Sequence, residues 1–137
     1  MSFSHLRYVS PSVEYAAHPA YARLVRLGEG HWAQLVLQCR CRPGSFLVQG
    51  STLTERQWPS DLRVDPDFSS NAGLEWLLED EADVAVTALL VRELGPASDP
   101  AAYGTVAGAV REDDPESPER QWLRLRAAQH RRLGLYV

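Results

Sequence analysis

The chain has 137 residues, 45% of them hydrophobic and 23% charged, and a net charge of −4. That profile is one soluble globular domain long enough to bury a core, and it excludes the basic signature of a nucleic-acid or anionic-membrane partner. No apolar run approaches the roughly 18 residues of a membrane span, and no signal-peptide core opens the chain.

All 14 basic residues are arginine, a pattern that reads mainly as coding bias. Cys39 and Cys41 are the only cysteines. On a strand they would share a face with Cα atoms near the upper limit for a bridge, which disfavours a disulfide. Without clustered histidines they do not make a zinc site either. The expectation is a reduced, intracellular, cytoplasmic protein with no metal.

In chain order, Leu6 to Val9 predicts a short strand closed by Ser10-Pro11. Ser10 or Ser12 can cap the helix that Val13, Ala16, Ala17, Ala20, Tyr21 and Leu24 outline by spacing. Pro19 interrupts that pattern, so a kink or two short helical pieces are expected. Leu27 to Gly30 is turn chemistry. From Trp32 to Cys41 the residues alternate: Ala33, Leu35, Leu37, Cys39 and Cys41 share one strand face, and Gln34, Gln38 and Arg40 the other. Pro43-Gly44 turns the chain into Ser45 to Gln49, which predicts a β-hairpin.

Residues 51 to 73 read as a long irregular loop, of the kind that often carries function. Glu75 to Leu78 is then a strand, Glu79 to Asp83 a solvated acidic turn, and Val84 to Arg92 a strand apolar on both faces. Such a strand is expected at the centre of its sheet. Together they form a two-stranded unit with the Glu75 carboxylate at its mouth. Beyond Gly95-Pro96 comes an Ala/Gly-rich stretch to Val110, then an acidic linker to Pro118. A helix over Gln121 to Leu133 follows, capped by Ser117, with Trp122, Leu125 and Gln129 on one side. Gly134 ends it, and Leu135 to Val137 can add an edge strand. The predicted class is α+β: mixed, mostly antiparallel sheets, a helix after the first strand and a C-terminal helix. One domain is expected, with its core over residues 6–94 and a helical extension over 97–137.

The order of these pieces carries a resemblance. Arg7-Tyr8-Val9-Ser10-Pro11-Ser12-Val13-Glu14-Tyr15-Ala16-Ala17, continuing to Tyr21-Ala22, resembles the second motif of ADP-ribosyltransferase domains of the PARP and diphtheria-toxin-like type. In these a strand leads into a helix that carries a Tyr. Trp32 to Cys41 is similar to the long strand that follows it. Glu75-Trp76-Leu77-Leu78 with Val84 to Arg92 resembles the last motif, in which a strand opens with the catalytic Glu. The likeness spans residues 6 to 93 and rests on the ordered spacing of three short motifs.

It implies a split pair of sheets holding NAD, as substrate, in the crevice between them, with no metal. Glu75 would be catalytic: it would hydrogen-bond the nicotinamide-ribose 2′-hydroxyl and stabilise an oxocarbenium-like transition state as nicotinamide leaves. Tyr8 and Tyr21, with Tyr15 behind them, would stack on the nicotinamide, and Ser10 matches the small residue beside them. Residues Phe68 to Gly73 correspond to the loop that selects the acceptor. The acceptor would be a macromolecule, protein in preference to nucleic acid. Other readings stay open: Glu75 as a solvated strand-edge carboxylate, the tyrosines as core residues, and Ser10 as a helix cap.

The family's first motif, a His that hydrogen-bonds the adenosine ribose, belongs well upstream of Tyr8. Only seven residues stand there, and His5 is too close. Three expectations follow. An N-terminal segment or a partner completes the site, or the segment around His130 supplies the residue, or the domain is an inactive module that binds a partner or nucleotide.

Overall fold

The computed structural model describes residues 7–28, 31–94 and 118–137. Its elements are β1 (Arg7–Val9), α1 (Val13–Ala16), β2 (Val25–Gly28), β3 (His31–Cys41), β4 (Phe46–Gln49), β5 (Glu75–Leu78), β6 (Val84–Leu94) and α2 (Pro118–Arg132). The architecture is α+β. One antiparallel sheet is ordered β1-β5-β4 and the other β2-β3-β6. Among the described residues no helix is long and apolar enough to cross a membrane.

Helix α1 is a single turn because both of its ends are forced. Ser12 caps it, its Oγ accepting from the Tyr15 amide at 2.9 Å. The same hydroxyl donates to the Asp65 carboxylate, tying the cap to a distant loop. Pro19 cannot continue the helix, so the chain turns at residues 17–22. The Tyr21 and Ala22 amides both donate to the His18 carbonyl. Gln34 on β3 then clamps this turn, its Nε2 donating to the carbonyls of Ala17 (3.0 Å) and Ala22 (2.9 Å).

Neither predicted hairpin forms. β3 pairs with β6 from Trp32↔Leu94 to Cys41↔Val84, and β4 pairs with β5 from Phe46↔Leu78 to Gln49↔Glu75. Beyond the connection from β1 through α1 to β2, the chain therefore changes sheets twice more, after Cys41 and after Leu78. Gly44 at φ +77° makes the first crossing possible. Asp80, capping a 3₁₀ turn at Glu81–Asp83, shapes the second. The crossings lie side by side, joined by the Arg42 amide to the Asp83 carbonyl and by an Arg42–Asp83 ion pair at 2.9 Å. Strand β6 is an edge strand of its sheet, contrary to the central place its apolar run predicts. Burial on β3 does not follow the two-residue alternation: Trp32, Ala33 and Gln34 are all buried, while Leu35 and Leu37 are about half exposed.

The core lies under the long loop rather than between two hairpins. Trp58, Leu62, Val64 and Leu74 from the loop pack with Tyr15 of α1 and Ala127 of α2. Asn71 braces the loop, accepting from the Val64 amide and donating to the Leu62 carbonyl. Helix α2 faces this core through Leu123, Ala127 and His130, and Gln129 is exposed. It ends at Gly134 (φ +70°), where the Leu135 amide reaches back to the His130 carbonyl. The tail then bridges Leu62↔Tyr136, so the C-terminal segment is part of the core and not an appendage. Ser117, the expected cap, and the Ala/Gly-rich stretch lie outside the described residues, as do the side chains of Trp122 and Leu125.

Two histidines sit edge-on to Trp58 with ring centroids at 6.3 Å (His18) and 5.0 Å (His130). The Ala20 amide donates to His18 Nδ1, so the ring proton is on Nε2 and goes to the Gln57 carbonyl. A second ring proton would meet the Ala20 N–H. Burial, partly offset by the Gln57 bond, lowers the His18 pKa from 6.5 to about 4.

Two stability predictions arise here. Leu62 and Leu74 are fully buried, and truncating either to Ala is expected to cost about 2–5 kcal/mol in urea unfolding. The unfolded chain protonates His18 near its ordinary value and the folded chain only near 4. Its contribution is therefore complete above that ordinary value and is lost as pH falls toward 4, by on the order of 3 kcal/mol. Urea midpoints followed over that range are expected to fall less steeply in His18→Gln than in wild type.

Candidate functional site

Strand β5 is the central strand of its sheet, and Glu75 opens it. The pairing Gln49↔Glu75 sets the two side chains abreast on one face. Gln49 Nε2 accordingly donates to Glu75 Oε1 at 2.7 Å. Three residues past Gln49, the Thr52 hydroxyl donates to Oε2 at 2.8 Å. From the other side the Tyr15 hydroxyl donates to Oε2 at 2.7 Å. The carboxylate is 3% exposed and has no ion pair with a described residue; its three donors are all neutral.

Proton bookkeeping fixes the rest of the network. Tyr15 and Thr52 each commit their one hydroxyl hydrogen to Glu75. Tyr21, at 2.9 Å from Tyr15 Oη and 3.2 Å from Thr52 Oγ1, therefore donates its single hydroxyl hydrogen to one of these two oxygens. The Thr52 amide also donates to Tyr15 Oη at 3.1 Å, and the Ser51 side chain bonds Tyr15 as well. Burial above all, with the bonds to Tyr21 and Glu75, raises the Tyr15 hydroxyl well above its ordinary pKa. It is a neutral donor throughout the working pH range and not a proton acceptor.

Of this network Tyr15, Tyr21 and Glu75 line a cleft of about 810 Å³ that runs between the two sheets, a size ordinary for a small-molecule site. Tyr8, Ser10, Tyr15, Tyr21 and Glu75 all line it. On the other sheet the lining residues include Leu35, Val36, Leu37 and Leu90, of which Val36 and Leu90 are paired and share a face. Phe46 and Trp76, stacked at 4.2 Å with planes 8° apart, line it as well.

The expected site residues take different roles. Tyr8 and Tyr21 are 56% and 48% exposed and offer ring surface to a ligand. Tyr15 does not: its ring belongs to the core, tilted 44° to Tyr21, and only its hydroxyl reaches the site. Ser10 lines the cleft while its Oγ accepts from the Ser12 amide, a cap-like contact at the start of α1. Glu75 is buried and hydrogen-bonded, not a solvated edge carboxylate. The loop Phe68 to Gly73 does not wall the cleft; it plugs the core, with Phe68 against the cluster. His130 is also in the core, its Nδ1 bonded to the Arg63 carbonyl at 2.6 Å, and does not line the cleft. His5 lies outside the described residues.

Thr52 and Gln49 are the functional candidates that the sequence reading misses. Thr52 sits in what reads as loop, and the partner of Gln49 appears only with the β4–β5 register. Cys39 and Cys41 are free thiols that line the cleft, and burial raises the Cys41 pKa. Among the described residues no group of His, Cys, Asp and Glu converges in a way that would hold a metal ion.

Tyr15→Phe leaves Oε2 with one donor in place of two and orphans the Thr52 amide. It is expected to destabilise the fold by about 1–3 kcal/mol. Tyr21→Phe, at a half-exposed hydroxyl, is expected to cost less. Parallel urea titrations of the two variants check the order. No family model, curated protein or solved structure matches the chain.

Proposed function

We propose that this protein is an ADP-ribosyltransferase-like domain that takes NAD as substrate and transfers ADP-ribose to a macromolecular acceptor, with Glu75 as the catalytic residue. The observation that carries the reading is the Glu75 carboxylate, buried yet lining a cleft and fixed by Tyr15, Thr52 and Gln49 beside the open rings of Tyr8 and Tyr21.

The chemistry requires little beyond positioning. The ribosyl C1′–N1 bond breaks with its electron pair going to the nicotinamide nitrogen, which leaves neutral. Positive charge develops on the ribose, and a buried carboxylate already fixed by its three donors stabilises it without the reorganisation water needs. Glu75 Oε1 accepts from Gln49 alone and so keeps an acceptor position for the ribose 2′-hydroxyl. The acceptor nucleophile then bonds to C1′ and releases its proton to solvent. Tyr8 and Tyr21 offer stacking for the leaving ring, a contact of about 0.5–1.5 kcal/mol beyond burial. The acidic net charge favours a protein acceptor over nucleic acid, and the unpaired thiols fit an intracellular, cytoplasmic setting.

One observation favours a second reading: no histidine is among the described residues lining the cleft. An inactive module that binds nucleotide or a partner, or a domain completed by another segment or partner, accounts for that. Incubation with labelled NAD and analysis of released nicotinamide separates the readings. Wild type is expected to turn NAD over, and Glu75→Gln to lose about 10²–10³-fold. Equal rates in both, or none in either, refute the catalytic role, and NAD retained without turnover marks the module.

A further inference from the structure

Cys39 and Cys41 are the two cysteines of the chain, and both are free thiols. They stand two residues apart on β3, so their side chains leave the same face of the sheet. Both are half-buried, and both line the cleft. Their cross-strand partners on that face are Val86 and Val84, and Phe46 and Trp76 line the same cleft. Burial first, and the nearby Cys39 second, raise the Cys41 pKa, so the two groups are close enough to influence one another. A strand rise of about 3.3 Å per residue sets their Cβ atoms about 6.6 Å apart, too far for the roughly 3.8 Å of a disulfide. Rotation about each Cα–Cβ bond swings the sulfurs toward each other without closing that bridge. Two metal–thiolate bonds of about 2.3 Å laid end to end span about 4.6 Å, a separation that this spacing reaches.

We propose that Cys39 and Cys41 together form a two-coordinate site for a soft monovalent cation, copper(I), held in line between the two sulfurs. Thiolates are the ligands that select copper(I), and its filled d shell is satisfied by two of them placed opposite one another. Zinc is set apart by ligand number: a tetrahedral shell takes three or four protein ligands, and this pair supplies two. Binding forms two Cu–S bonds and releases the two thiol protons to solvent, with no change of oxidation state at sulfur or copper.

The test is a competition titration of the full reduced chain under nitrogen, with copper(I) partitioned between the protein and a chromogenic copper(I) chelator. Wild type is expected to withhold one ion per chain. Cys39→Ser and Cys41→Ser, each verified as folded by circular dichroism, are expected to bind about 10²–10⁴-fold more weakly, because each thiolate is an intramolecular partner for the other. X-ray absorption at the copper edge is expected to show two sulfur neighbours and no third ligand. Either serine variant holding copper as tightly as wild type overturns the proposal, as does one ion per two chains, a third ligand at the metal, or no ion withheld. Zinc bound as tightly as copper(I) in a parallel titration overturns it too. The result is independent of NAD turnover, because neither thiol has a part in the chemistry assigned to Glu75.

Discussion

Taking the Glu75 carboxylate out of water is the constraint around which this molecule is arranged. An effective desolvation penalty of several kcal/mol has to be met by hydrogen bonds to the charged group, each about 1.5–3 kcal/mol net when well aligned. The three donors come from separate parts of the chain: Tyr15 from the capped turn of α1, Gln49 from the adjacent strand, and Thr52 from the start of the long loop. Each is held by something other than the carboxylate. The Tyr15 ring is packed against Trp58, Leu62 and Leu74. Strand register fixes Gln49, and the Thr52 amide is bonded to Tyr15 Oη. The core and the site are thus one structure, because the residue that fills the centre of the core also presents a hydroxyl to the carboxylate.

The paired crossings between the sheets are what give that carboxylate a cleft to line. Were β3–β4 and β5–β6 simple hairpins, Glu75 and Leu35 would stand in a continuous sheet with no facing wall. The Arg42–Asp83 pair marks the place where the two crossings meet, but Arg42 is 70% exposed. An ion pair so open to solvent contributes at most about 1 kcal/mol. The crossings are held instead by local backbone chemistry: the positive φ at Gly44, the Asp80 cap and the bond from the Arg42 amide to the Asp83 carbonyl. Sheet geometry here follows from turns more than from surface charge.

Much of the secondary structure is legible in the sequence, because periodicity and caps are local. The β1 strand, the Ser12 cap, the strand from Trp32 to Cys41, the Glu75 strand and the Gly134 terminus all appear where residue chemistry places them, whereas the helical spacing interrupted by Pro19 yields only the one turn Val13–Ala16. Pairing is not legible. Pro43-Gly44 announces a reversal equally well whether the next strand joins the same sheet or another. The apolar run of Val84 to Val91 reads as central, since nothing local distinguishes an interior strand from the wall of a cleft. The loop over residues 51–73 looks irregular and is, yet its Trp58, Leu62 and Val64 are core. Glu75, Tyr8 and Tyr21 stand out as site residues from the resemblance, whereas the Gln49 and Thr52 contacts require register that no single segment encodes.

The places where burial runs against residue type are the ones that locate a site. Gln34, His18 and Glu75 are inside, and Leu35, Leu37 and Leu90 are open to solvent along the cleft. For Gln34 and His18 the reversal is architectural: the first clamps the turn that carries Tyr21, and the second anchors that turn to Gln57. Neither leaves a polar atom facing the cleft. Glu75 differs because its bonds satisfy three acceptor positions while no described residue pairs with its charge. Both features, an anion with no ion pair among the described residues and hydrophobic surface without cover, meet in this one cleft.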